Sequence, residues 1–218
     1  MPQLIAMIII VVGAMIYMFQ TFGGTGDKIE GIAQKSSVIT EINNIKNGVQ
    51  LALRSEAIVN SEVTEASKNN KVNSLKGISE LEFFPEQINN QMTDTANTLT
   101  NTYQAISFGG LGNKTLEITL VLPNKTDADK TARPGLFVDI SKGSLATNAG
   151  FLEKQLKTDL AALGTIDTNA IETTGYAKLK DDGSFLTAGG TAAGTNTDVD
   201  GKFTIYFKDL PRGMIKAE

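Results

Sequence analysis

"DKIEGIAQKSSVITEINNIKNGVQLALR", residues 27–54, is the stretch whose reading decides the fold. Its apolar residues Ile29, Ile32, Ile39, Ile42, Ile45, Val49, Ala52 and Leu53 recur mostly at three- or four-residue spacing, and Lys28, Lys35, Glu41, Lys46 and Arg54 fall mostly between them. That period belongs to an α-helix with one apolar stripe, so the stretch reads as a half-buried amphipathic helix. Asp27 is placed to cap its start, and Glu30 completes the capping-box spacing. Ile32, Ile39, Ile42, Ile45, Val49 and Leu53 are the expected contacts between this spine and a globular head.

Immediately upstream, "GGTG" places three glycines, Gly23, Gly24 and Gly26, within four residues, which resists helix, since each glycine costs roughly 1 kcal/mol relative to alanine. An unwound or extended break is expected there. Before it, "LIAMIIIVVGAMIYMF", Leu4 to Phe19, has no charge, and the first charge of either sign is Asp27. As a helix this stretch measures roughly 24 Å, and roughly 28 Å when continued through Phe22, against about 30 Å of bilayer hydrocarbon. It can therefore span. A secretory signal would carry basic residues ahead of the apolar run and a small-residue cleavage site after it, whereas the chain opens Met-Pro-Gln. The missing flanking charge suggests that a basic leader has been removed just ahead of Met1. An uncleaved single-pass anchor is the alternative.

About 190 residues follow the apolar start, enough for one well-packed domain. The net charge of −4 is spread along the chain with no basic block, so nothing points to nucleic-acid binding through phosphate neutralisation. Cysteine and histidine are both absent. Disulfides, thiolate zinc sites and histidine-based triads are thereby excluded, and no catalytic site is expected.

Downstream, Asn60 to Ser74 has loop composition, and Phe83-Phe84-Pro85 marks a return to the core before a Thr/Asn-rich segment. "TYQAISFGG" from Thr102 reads as a strand ending in a glycine turn, "TLEITLVLP" from Thr115 as its partner and "LFVDI" from Leu136 as a third strand. Gly150 to Leu163 carries Leu152, Leu156, Leu160 and Leu163 on one helical face, with Asn148 as its cap and Gly164 as its stop. "TGYAKLK" from Thr174 reads as a strand, "FLTAGGTAAGTNTD" as a flexible loop and "KFTIYFKDLP" from Lys202 as the clearest strand. The expected fold is α+β: a long N-terminal helix in two halves packed on a mostly antiparallel head with a short second helix. The expected divisions are 1–26 for the apolar helix and glycine break, 27–57 for the spine and 58–218 for the head.

With these features the chain resembles the type IV pilins, most closely the type IVb group of toxin-coregulated, bundle-forming and conjugative pilins. Met1 to Leu53 is similar to that group's mature N-terminus, and "SVITEINNIKNGVQLAL" to the part of the spine under the head. "LTNTYQAISFGG", through Asn101, Tyr103, Gly109 and Gly110, resembles an Asn-x-aromatic-Gly-Gly motif, and "EITLVLP" and "TIYFKDLP" fit the strand-then-Pro pattern. The chain departs from the group at Ile5, where a Glu is usual, and in lacking the usual C-terminal disulfide. The resemblance implies a fimbrial subunit, embedded in the inner membrane before assembly into an extracellular homopolymeric filament. It also implies an assembly ATPase, an inner-membrane platform protein and a prepilin peptidase that cuts and N-methylates Met1. Leu4, Ile5, Ile8, Ile9, Val12, Ile16 and Phe19 would form the filament core. A bilayer solvates those side chains about as well as neighbouring helices do, so extraction needs an external motor. Adhesion, motility, conjugation and DNA uptake are not separated. A membrane-anchored binding domain acting as a monomer and a pseudopilin of a secretion system are the other readings.

Two smaller signals remain. "TNTDVDG" sets Asn196, Asp198 and Asp200 at the spacing of the first half of a calcium loop, but position twelve is Phe207, and a plain Asp-Gly turn is the simpler expectation. "NKT" at Asn113 and Asn124 gives formal N-glycosylation acceptors on loops.

Overall fold

The computed structural model describes residues 31–59, 71–123, 132–168, 177, 179, 200–210 and 215. The expected filament-core residues, Met1, the glycine break, Asn124, Asn196 and Asp198 lie outside them. Among the described residues no helix is long and apolar enough to cross a membrane.

The spine is helical over 31–54 (α1). Val38, Ile42, Ile45, Val49, Ala52 and Leu53 form its buried stripe. Their spacing of three and four residues keeps them on one face of the helix. Two of the expected contacts shift. Ile32 is 57% exposed, because the head reaches neighbouring faces of that turn instead. Ile39 is only partly buried at the edge of the core, and Val38 takes the centre of the stripe.

Two helices that composition had hidden follow: α2 (Leu75–Glu80) and α3 (Glu86–Thr93). Ser74 caps α2 through a bond from the Gly77 N–H. Pro85 precedes α3, where its missing N–H costs nothing. The Thr/Asn content of this segment masked α3, which is held by the burial of Ile88 and Met92.

The sheet contains β1 (Thr102–Gln104), β2 (Glu117–Val121), β3 (Gly135–Asp139), β4 (Gly164–Asp167) and β5 (Lys202–Phe207). All pairings are antiparallel, in the order β1-β2-β3-β5-β4. Strand β1 is shorter than expected: the chain leaves it for a 3₁₀ turn at Ile106–Phe108, closed by Gly109 at φ 104°. Between β3 and β4 lies α4 (Ala149–Leu160). Leu163 lies beyond its end and is 43% exposed, and Gly164 opens β4 rather than merely stopping the helix.

Period-two alternation sends Tyr103, Ile118, Leu120, Leu136, Val138, Phe203, Ile205 and Phe207 into one continuous core with the α1 stripe, Met92 and Leu152. The opposite sheet face is also covered. Val121, Phe137 and Tyr206 pack there with Ala132, Ala177 and Leu179. Ala177 and Leu179 come from the expected "TGYAKLK" strand and bond to Leu122 O (3.0 Å) and from Arg133 N (2.6 Å) respectively. Strand β3 is therefore buried along its whole length.

Candidate functional site

The junction of α1 with the head is the arrangement on which a spine-and-head function depends. At the root of α1, Gln34 Oε1 accepts from Asn148 Nδ2 (3.3 Å), Lys35 Nζ meets Asp159 Oδ2 (2.7 Å), and a Cβ on Gly31 would lie 3.1 Å from the Phe151 ring. Asn148 thus precedes α4 as expected, but its side chain reaches across to the spine instead of capping the helix.

Midway along the helix, Glu41 is 3% exposed, although its place between apolar residues suggested a solvated face. Tyr103 Oη donates to Glu41 Oε2 (2.9 Å) and Ser107 N–H donates to Oε1 (2.9 Å). Tyr103 Oη in turn accepts from Ile106 N–H (3.1 Å). Burial raises the Tyr103 phenol well above its ordinary value, and the Glu41 charge adds to that. The phenol therefore stays a donor to the carboxylate. The 3₁₀ turn after β1 points the Ser107 N–H at α1. Gly109 ends the turn in a left-handed conformation that glycine takes without strain.

Toward the top of α1, Lys46 Nζ pairs with Asp209 Oδ2 (2.6 Å) and stands 5.5 Å from the centre of the Phe207 ring. Gln50 Nε2 donates to the same carboxylate (3.2 Å). Gly48 faces Phe84 so closely that any Cβ would overlap the ring. Lys35, Glu41 and Lys46 are thus all turned to the head. The exposed residues between 32 and 51, namely Ile32, Ala33, Ser36, Thr40, Asn47 and Leu51, carry no charge.

On the outer sheet face a polar row runs across the strands. Gln104 Nε2 donates to Glu117 Oε1 (3.0 Å), and Lys142 Nζ bridges Glu117 Oε2 (2.9 Å) and Asp139 Oδ2 (3.1 Å). Burial alone would raise the Asp139 carboxyl, but hydrogen bonds from Ser141 and Lys142, with the lysine's charge, leave it below its ordinary value. The bond to Glu117 is the main reason Lys142 is raised. This row is a brace: the residues satisfy one another.

Asp200 Oδ1 accepts from Lys202 N–H (2.9 Å), and Gly201, at φ 79°, donates its N–H to Glu153 Oε2 (2.7 Å). That is an Asp-Gly turn leading into β5. Among the described residues no group of three or more acidic, His or Cys side chains converges on a metal position. Asn113 sits on an exposed turn, where its Oδ1 accepts from Thr115 N–H (3.0 Å) and Oγ1 (2.7 Å). Sequence reasoning missed Glu41 and Ser107. The available signal was a carboxylate one residue before a core isoleucine, which puts it on the flank of the buried stripe. Comparison of the chain with protein-family models, curated proteins and solved structures finds no match.

Proposed function

We propose that the chain is a structural subunit of a type IV-like pilus, polymerising through Leu4–Phe19 and the outer face of α1 into an extracellular filament. The observation that carries this reading is the charge-free outer face of α1 over residues 32–51, downstream of an apolar stretch with no charge before Asp27. A solvated helix face in a chain with 20% charged residues normally carries Lys or Glu. Here the charges are turned inward, which leaves Ala33, Ser36, Thr40 and Asn47 for close helix approach. Attachment of α1 at its root, middle and top supports a subunit that passes force from spine to head.

The reading is tested in cells expressing the whole gene. Shearing should release filaments containing this chain. Ser36→Glu with Thr40→Glu should abolish filaments without changing thermal unfolding of a head lacking Met1 to Thr25. A chain that remains monomeric in the membrane would favour the anchored binding domain. Filaments unaffected by the two glutamates would remove the outer face of α1 from the assembly surface.

A further inference from the structure

We propose that, before assembly, α4 rests on the bilayer surface, with Phe151 and Ile32 in the interfacial layer and Lys154 and Lys157 against anionic lipid headgroups. The inference rests on reading Leu4–Phe22 as membrane-embedded in the subunit.

The crossing of two helices places α4 at the right end of the head. On the spine, Gly31, Gln34 and Lys35 fall within a single turn, whereas their partners Phe151, Asn148 and Asp159 extend along almost the whole of α4. Helix α4 therefore lies across the root of α1. A helix lying across a spine that enters a membrane runs near the plane of the membrane surface. From Phe22, the end of the spanning stretch, to Gly31 is nine residues. That tether reaches at most about 30 Å when extended and roughly 14 Å when helical, so α4 cannot move far from the bilayer boundary.

The exposed side of α4 suits that position. Leu152, Glu153, Leu156 and Leu160 turn inward, while Phe151, Lys154 and Lys157 are exposed at three-residue spacing, Phe151 by 40%. Ile32, 57% exposed, adds a second apolar side chain at the same end of the spine. Glu153 is buried and bonded to Gly201, and Asp159, though exposed, is paired with Lys35, which offsets its charge beside the two lysines. Exposed apolar side chains beside lysines are the pattern of a helix held at an anionic bilayer surface.

The chain has no tryptophan, so one introduced residue is an unambiguous fluorescent probe. The full chain carrying Phe151→Trp, Ile32→Trp or Tyr17→Trp is reconstituted into vesicles of phosphatidylcholine and phosphatidylglycerol with brominated acyl chains. Tyr17→Trp reports on the spanning stretch itself. The expected result is strong quenching at position 17 and blue-shifted emission at positions 151 and 32, quenched at least about one third as much, as suits side chains within about 10 Å of the acyl boundary. Lys154→Glu with Lys157→Glu, or vesicles of phosphatidylcholine alone, should remove at least half of the quenching at position 151. Quenching at 17 with none at 151 or 32 overturns the docking of α4 and leaves the membrane reading standing. No quenching at any position overturns both. A blue shift at 151 that follows protein density and ignores bromination and lipid charge assigns the patch to a second copy, and the proposal fails.

Discussion

The root and the shaft of α1 turn the same helix face to the head with different chemistry: Gly31, Gln34 and Lys35 at the root, apolar side chains along the shaft. From Val38 to Leu53 the apolar stripe is buried against the sheet, whereas Ile32, about 120° round the helix from Val38 at about 100° per residue, lies off that stripe and is more than half exposed. At the shaft, β1, β2, β3 and β5 supply a continuous apolar floor. At the root, α4 approaches through Gly31, Gln34 and Lys35 and leaves the Ile32 side chain uncovered. The head thus covers one face of the helix from root to shaft, and an isoleucine set off that face stays open even where the head reaches its turn.

The sharpest way to break this contrast is Ile42→Asp, which puts a charge at a fully buried position of the shaft. A loss on the order of 4 kcal/mol or more is expected, enough to unfold a head of ordinary stability, and denaturant unfolding monitored by circular dichroism would measure it. An unaltered midpoint would show that the shaft is not the core. Next, Glu41→Ala leaves the Tyr103 hydroxyl and the Ser107 N–H without their carboxylate, at about 2 kcal/mol or more. Glu41→Gln, which preserves shape and one acceptor, should lose less. Equal losses would mean that the bonds to Glu41 contribute little beyond packing.

Gly48→Ala tests packing against propensity. Alanine improves an exposed helix by about 1 kcal/mol over glycine, but here its methyl group meets Phe84, and overpacking costs about 1–3 kcal/mol. The expected outcome is net destabilisation, largely reversed by adding Phe84→Leu; a stabilised single variant would place Phe84 elsewhere.

Away from the spine, the Asp139 carboxyl is depressed on folding, so the stability it contributes is present above its unfolded value of 3.8 and is lost as pH falls through the lower folded value. Asp139→Asn should make unfolding free energy less dependent on pH below about 4, as a pH series of denaturation curves would record. The smallest effect belongs to the root: Ile32→Ser should change stability by less than about 0.5 kcal/mol. A large loss there would extend the buried shaft downward and erase the contrast.

Much of the architecture was legible from short-range pattern. The amphipathic period located α1, and alternation located β2, β3 and β5, because a half-buried helix or strand writes its own repeat into neighbouring residues. Helices α2 and α3 escaped because they are short and polar, and their stability comes from a few residues such as Ile78, Ile88 and Met92 meeting a core assembled elsewhere. The absence of His and Cys, the charge-free Leu4–Phe19 and the amphipathic spine after it are properties of the sequence alone, and no packing can alter them. Tertiary structure decided that β5 enters between β3 and β4, that Glu41 faces a β1 tyrosine and a backbone N–H of the 3₁₀ turn more than sixty positions away, and that Asn148 and Asp159 meet the root of the spine. Each depends on which distant segments meet, and a local repeat carries no information about its partner.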